Sequence, residues 1–168
     1  MDLNKKIEAT RQLGEEFLTW LMGKSVMQEG MFQTEAGPVE LWFEDKITFV
    51  SPFAGAEMNI LKGEAPAEGS EALMALRKGK LIGDAKLSVT FQNRRWDFSF
   101  AAGRFALSAV KVPAVLSDTE EEAVVERFDL LATLEEVLGG MYEEFLTLRL
   151  DDGRWKRECR RFEEWVKS

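Results

Sequence analysis

The chain has 168 residues, 45% of them hydrophobic and including 12 Phe and 5 Trp, enough for one domain with its own core and too many for a disordered segment. Asp and Glu number 30 against 22 Lys and Arg, and the net charge of −8 opposes general attraction to nucleic acid or anionic lipid, although a local basic patch can still act. The absence of histidine removes the commonest general base and metal ligand and every Ser-His-Asp or Cys-His arrangement, and the one cysteine, Cys159, excludes an internal disulfide and a Cys-rich zinc site.

A lone thiol fits a reducing cytoplasm. The opening residues lack the apolar region of a signal peptide, and no apolar run approaches the roughly 20 residues that span a bilayer. The expectation is a cytoplasmic protein without a membrane segment.

The first helix is expected over residues 4–24. Leu13, Phe17, Trp20 and Leu21 recur at i, i+4, i+7 and i+8, the spacing of a helix face turned to a core, and Leu18 and Met22 widen it. Gly14 lies one turn before Leu18, where a missing side chain lets another backbone approach. Residues 25–38 read as irregular, with Gly30, Gly37 and Pro38 as breakers. The period then changes to two. Val39, Leu41 and Phe43 alternate with polar residues, as do Ile47 and Phe49 after Glu44-Asp45-Lys46, which predicts a β-hairpin with one buried face. Residues 51–55 are expected to be a loop and residues 58–62 a third strand.

Residues 63–69 form a linker around Pro66. Ser70 is a cap candidate for a short helix over residues 71–78, closed by Gly79. The clearest strands follow. Ala85, Leu87, Val89 and Phe91 face one way, and Trp96, Phe98 and Phe100 follow the polar turn Gln92-Asn93-Arg94-Arg95. Phe105, Leu107 and Ala109 make the next strand, and the parity shift to Val110 and Val112 predicts a bulge before Pro113.

Ser117-Asp118-Thr119-Glu120 reads as a capping box. The helix after it carries one apolar stripe, Val124, Phe128, Leu131, Leu134, Leu138, Met141, Phe145 and Leu148, interrupted at Gly139-Gly140. A last amphipathic helix follows the turn Asp151-Asp152-Gly153, with Trp155, Cys159, Phe162 and Val166 inward. The order predicts a single α+β domain over residues 1–168, with an antiparallel sheet of about six strands packed against an N-terminal helix and a long C-terminal helix pair.

Five stretches, in this order, carry a family resemblance. They are Leu13-Gly14-x-x-Phe17-Leu18-x-Trp20-Leu21-Met22, Glu71-Ala72-Leu73-Met74-Ala75-Leu76-Arg77-Lys78-Gly79-Lys80, Lys111-Val112-Pro113-Ala114-Val115, Phe145-Leu146-x-x-Arg149-Leu150 and Trp155…Trp165. Together they resemble the C-terminal part of the longer, divergent bacterial relatives of the recombination-associated protein RdgC. The resemblance spans nearly all of this chain but only part of the family's length, since those relatives carry a sizeable N-terminal region not found here. It implies a non-enzymatic bacterial protein that binds DNA without sequence preference, forms ring-shaped dimers and restrains recombinase loading at the nucleoid. No cofactor is implied.

The best nucleic-acid feature is the last helix. Arg154, Lys156, Arg157, Arg160 and Arg161 stand against Glu158, and Arg154, Arg157 and Arg161 recur at i, i+3 and i+7 on an outward face. The same stripe also fits a solvated face neutralised by acids of the preceding helix such as Glu143 and Glu144. A second patch joins Arg77, Lys78 and Lys80 to the hairpin tip Arg94-Arg95. Trp96, Phe98 and Phe100 invite a base-stacking role, but their strict alternation marks a sheet core.

The enzymatic alternative is a metal-dependent nuclease built on Asp45 with Asp84-Ala85-Lys86, a carboxylate holding Mg²⁺ and a lysine orienting water, although the pattern is common and lacks a companion carboxylate motif. No catalytic or metal-binding residue is otherwise expected, and no Gly-rich phosphate loop occurs. A different reading is an acidic protein–protein interaction or oligomerisation module that does not touch DNA. It predicts exposed apolar surface at the edge of the 39–62 sheet or on Trp42.

Overall fold

The computed structural model describes residues 3–51 and 58–168, so the loop expected over residues 51–55 lies, from residue 52 on, outside the described residues. The first helix, α1 (Leu3–Met27), buries Phe17, Leu18, Trp20, Leu21 and Met22. Each of these side chains contributes roughly 1.5–3 kcal/mol on leaving water. Thr19 fastens the helix to the sheet: its hydroxyl donates to the Glu15 carbonyl at 2.7 Å and accepts from the Ile82 amide at 2.8 Å.

The residues after α1 are more ordered than their glycines suggest. Gly30, at φ +76°, turns the chain into β1 (Met31–Thr34), and the turn Glu35-Ala36 leads into β2 (Gly37–Val50). The hairpin expected within residues 39–49 is instead this single long strand. Val39, Leu41, Phe43, Ile47 and Phe49 are all odd-numbered, so a continuous strand keeps them on one face. Glu44-Asp45-Lys46 forms a bulge, across which the pairing of β2 with β4 (Leu81–Phe91) steps from Phe43↔Leu87 to Ile47↔Ala85. Strand β3 (Asn59–Lys62) pairs with the second half of β2.

A 3-10 turn, Pro66–Glu68, leads to α2 (Ser70–Arg77). Gly69 is the residue at its N-cap and Ser70 already lies inside the helix, correcting the expected cap; Gly79, at φ +79°, closes it as expected. Strand β4 turns into β5 (Arg94–Ala101) through Gln92 and Asn93 alone, both at positive φ, as a type I′ hairpin turn requires, so Arg94 and Arg95 belong to the strand. Strand β6 (Ala106–Lys111) pairs with β5 through a register shift, and Ala109 at φ +48° marks the parity change at Val110.

Helix α3 (Glu120–Leu150) is capped by the Thr119 hydroxyl, which accepts from the Glu122 amide, and not by Ser117. Ser117 is engaged with Glu126 instead. The helix runs on through Gly139-Gly140. Asp151 caps α4 (Asp152–Lys167), its carboxylate accepting from the Arg154 amide at 3.0 Å.

Among the described residues six strands form one antiparallel sheet in the order β1-β2-β4-β5-β6, with β3 beside β1 along β2. One face is apolar, from Val39 and Phe49 through Ile82, Leu87 and Val89 to Trp96 and Phe98, and α1 and α3 pack on it. The indole of Trp96 donates to the Leu130 carbonyl of α3 at 3.0 Å, and Phe100 meets Phe17 of α1 edge-on at 6.2 Å. The chain is thus an α+β structure with an N-terminal helix and a long C-terminal helix pair.

The inward stripe of α3 is Leu130, Leu134, Val137, Met141 and Phe145. Of the expected stripe, Leu134, Met141 and Phe145 are buried and Leu138 and Leu148 pack partly against the core, whereas Val124 and Phe128 are exposed. Sheet and helix share a core only from Leu130 onward, so the periodicity upstream marks an apolar face without a cover. Trp42 is half-buried: it closes against Gly30, and its indole donates to Glu40 at 2.6 Å.

Candidate nucleic-acid interface

The separation of aromatics from cations along α4 sets how it lies. Trp155, Cys159, Phe162 and Val166 recur at i, i+4, i+7 and i+11 and turn inward. Phe162 occupies the space above Gly23, where a Cβ would stand 2.3 Å from its ring, and Trp155 meets Phe145 edge-on at 5.7 Å. The Trp20 indole donates to Glu158 at 3.2 Å, and the Arg149 guanidinium, paired with Glu16 at 2.8 Å, lies 5.2 Å from the Trp155 ring. At the far end the Val166 carbonyl accepts from Arg77 Nε at 2.8 Å. These contacts hold α4 against α1, α2 and α3 at once.

The outer face carries Arg154, Lys156, Arg157, Arg160 and Arg161, all exposed, with the exposed Glu164 among them. Among the described residues the only ion pair in this set is Arg161 with Glu158, at 3.8 Å and with the arginine 76% exposed, a geometry that contributes little. No ion pair to the preceding helix forms among the described residues: Glu144 pairs with Lys24 of α1, and Arg154 shares a cleft with Glu136, Glu143 and Glu144 without pairing. Arg154 to Arg161 covers about 10 Å of helix axis, and a DNA strand presents a phosphate every ~3.4 Å of its axis. Lys167 extends the row at i+11 from Lys156, a helical spacing that is visible in the sequence but stands outside the expected set.

The second expected patch is divided. The hydrogen bond of Arg77 to Val166 brings the end of α2, with Lys78, to the last turn of α4. Lys80 is bonded to Asn59 of β3. Arg94 and Arg95 lie at the opposite end of β4, whose 11 residues span about 36 Å. Lys80 precedes that strand and Arg94 follows it, so an extended chain carries them apart. Arg95 bonds Asp97 at 2.9 Å and Glu44 at 3.0 Å, which raises its already high pKa, the hydrogen bond to Asp97 foremost. The positive charge of Arg94 acts on Glu126. The hairpin cations thus sit among acids.

Trp96, Phe98 and Phe100 are buried and offer no stacking platform. Of the nuclease set, Lys86 is tied to Asp45 at 3.1 Å, and Asp84 is exposed on the sheet's polar face. Among the described residues no three His, Cys, Asp or Glu side chains converge on a metal position. Cys159 lines an apolar recess of about 200 Å³ between α1 and α4, beside Trp20 and Phe162. Burial foremost, then the Glu16 carboxylate, pushes its thiol pKa up, the reverse of an activated nucleophile. No helix among the described residues is long and apolar enough to cross a membrane.

No family model matches the chain, and no curated protein matches it.

Proposed function

We propose that this chain is a non-catalytic, RdgC-like bacterial protein that associates with DNA without sequence preference, through the outer face of α4 and the adjoining end of α2. The observation that carries the reading is the set of exposed cations on α4, of which only Arg161 forms an ion pair among the described residues. Clustered exposed cations are sufficient for phosphate contact, and phosphate contacts carry no sequence information. A negative overall charge fits this arrangement, because repulsion elsewhere on the surface orients the duplex toward a local basic face. The lineage rests on the order of the five motifs, and with it come the expected dimer and a place at the nucleoid in the cytoplasm. Titration with duplex DNA over a range of salt concentrations tests the reading. Binding that weakens steeply with salt supports it, and no binding even at low ionic strength ends it.

A further inference from the structure

Helix α3 has two apolar sides, and only one is covered. Its first ten residues, 120–129, contain no buried residue. They nevertheless include Val124, Val125 and Phe128, exposed at 46%, 60% and 68%, and Leu116 just before the helix is exposed at 87%. Phe128 is two residues from Leu130, about 200° of rotation, so it points away from the side that Leu130 turns to the sheet. This surface is held in place. The Glu126 carboxylate accepts the Leu116 amide at 2.9 Å and the Ser117 amide at 3.0 Å, which fixes the approach to the helix against its second turn. A groove beside it is lined by Ser117, Val125, Glu121, Glu122 and Asp129.

The charge around these apolar groups is mainly acidic, with Arg94 of β5 near Glu126. Residues 120–129 contain Glu120, Glu121, Glu122, Glu126 and Asp129 against Arg127 alone. An acidic rim around apolar anchors complements a helix with apolar residues on one side and Lys or Arg flanking them. The other occupants fit less well. DNA is repelled by these carboxylates, and a second copy docked through the same face sets acid against acid. The patch also stands clear of α4: from Asp129 to Leu150 the axis of α3 runs about 32 Å.

We propose that the outward face of α3 around Val125 and Phe128 is a docking surface for a basic amphipathic helix of another protein. The inference is independent of the DNA reading, because it uses the opposite end of α3. The test uses a fluorescently labelled synthetic helical peptide of leucine and lysine, and a leucine–glutamate peptide with the same apolar face as comparator. Both are titrated with the wild-type chain and with the double variant Val125→Ser, Phe128→Ser. These side chains touch no core, and an unchanged thermal unfolding curve verifies that the variant is folded. The expected result is binding of the leucine–lysine peptide alone, weakened about tenfold or more in the variant, as loss of an aromatic anchor does. Equal affinity for the variant overturns the proposal, since the peptide is then held elsewhere on the acidic surface. Equal binding of the leucine–glutamate peptide overturns it too, as does self-association of the wild type that Phe128→Ser abolishes, which assigns the face to a second copy.

Discussion

Gly14 of α1 lies directly against the backbone of Ala102: a Cβ at position 14 would stand 2.1 Å from the Ala102 carbonyl oxygen. The neighbouring atom is backbone, in the short turn between β5 and β6, and cannot swing aside as a side chain does. Gly14→Ala is therefore expected to destabilise the chain by about 2 kcal/mol or more, despite the better helix propensity of alanine. A lowered denaturant midpoint with an unchanged slope is the expected result, and a stabilised variant contradicts the close approach.

Thr19 is the polar counterpart of that contact. Its buried hydroxyl is the acceptor for the Ile82 amide. Thr19→Val keeps the volume and removes the acceptor, which costs about 1–3 kcal/mol for a stranded buried donor. Thr19→Ser keeps the hydroxyl and is expected to lose clearly less. Equal losses in chemical unfolding would show that packing, not the hydrogen bond, sets the cost.

What the sequence displays is what depends on local period. The odd-numbered apolar residues from Val39 to Phe49, the alternation around Leu87 and Phe98, and the split of Trp155 and Phe162 from Arg157 and Arg161 are each visible in one segment, and each is present in the fold. What it hides depends on partners distant along the chain. Met31 to Thr34 is too short to signal a strand without β2 beside it. Glu44-Asp45-Lys46 has the composition of a turn, and only the register with β4 makes it a bulge. The placement of Arg77 beside α4 rests on a hydrogen bond across 89 residues of sequence. The exposure of Phe128 follows from where α3 passes the end of the sheet, which no periodicity encodes.

The loop before α3 is expected to respond to acid. Glu126 is held below the usual carboxylate range by hydrogen bonds, from the Ser117 hydroxyl foremost, then from the Leu116 and Ser117 amides. A carboxylate whose pKa is depressed by folding contributes stability that is present above its unfolded pKa and is lost as pH falls through the folded one. In NMR spectra the Leu116 and Ser117 amide resonances are expected to titrate together, with a midpoint below that of a free glutamate, and Glu126→Gln should remove the transition. A midpoint at the ordinary glutamate value contradicts the observed anchoring.

The division of the basic residues gives the DNA reading a test resolved by site. Removing cations that touch phosphate reduces the counterions released on binding, and the slope of log K against log salt flattens by about 0.9 for each phosphate left without its cation. The variant Arg157→Gln, Arg160→Gln, Arg161→Gln removes three cations from the outer face of α4. None of the three is buried, and the one ion pair among them is long, so stability should change by no more than about 0.5 kcal/mol. The expected outcome is weaker duplex binding at every salt concentration and a slope flattened by about 2 to 3. The comparison variant Arg94→Gln, Arg95→Gln removes two cations from the far end of β4, where Glu44, Asp97 and Glu126 stand beside them. It is expected to leave both affinity and slope near wild type. If the hairpin variant weakens binding as much as the helix variant, the phosphates are attracted by the whole surface and α4 is not the interface.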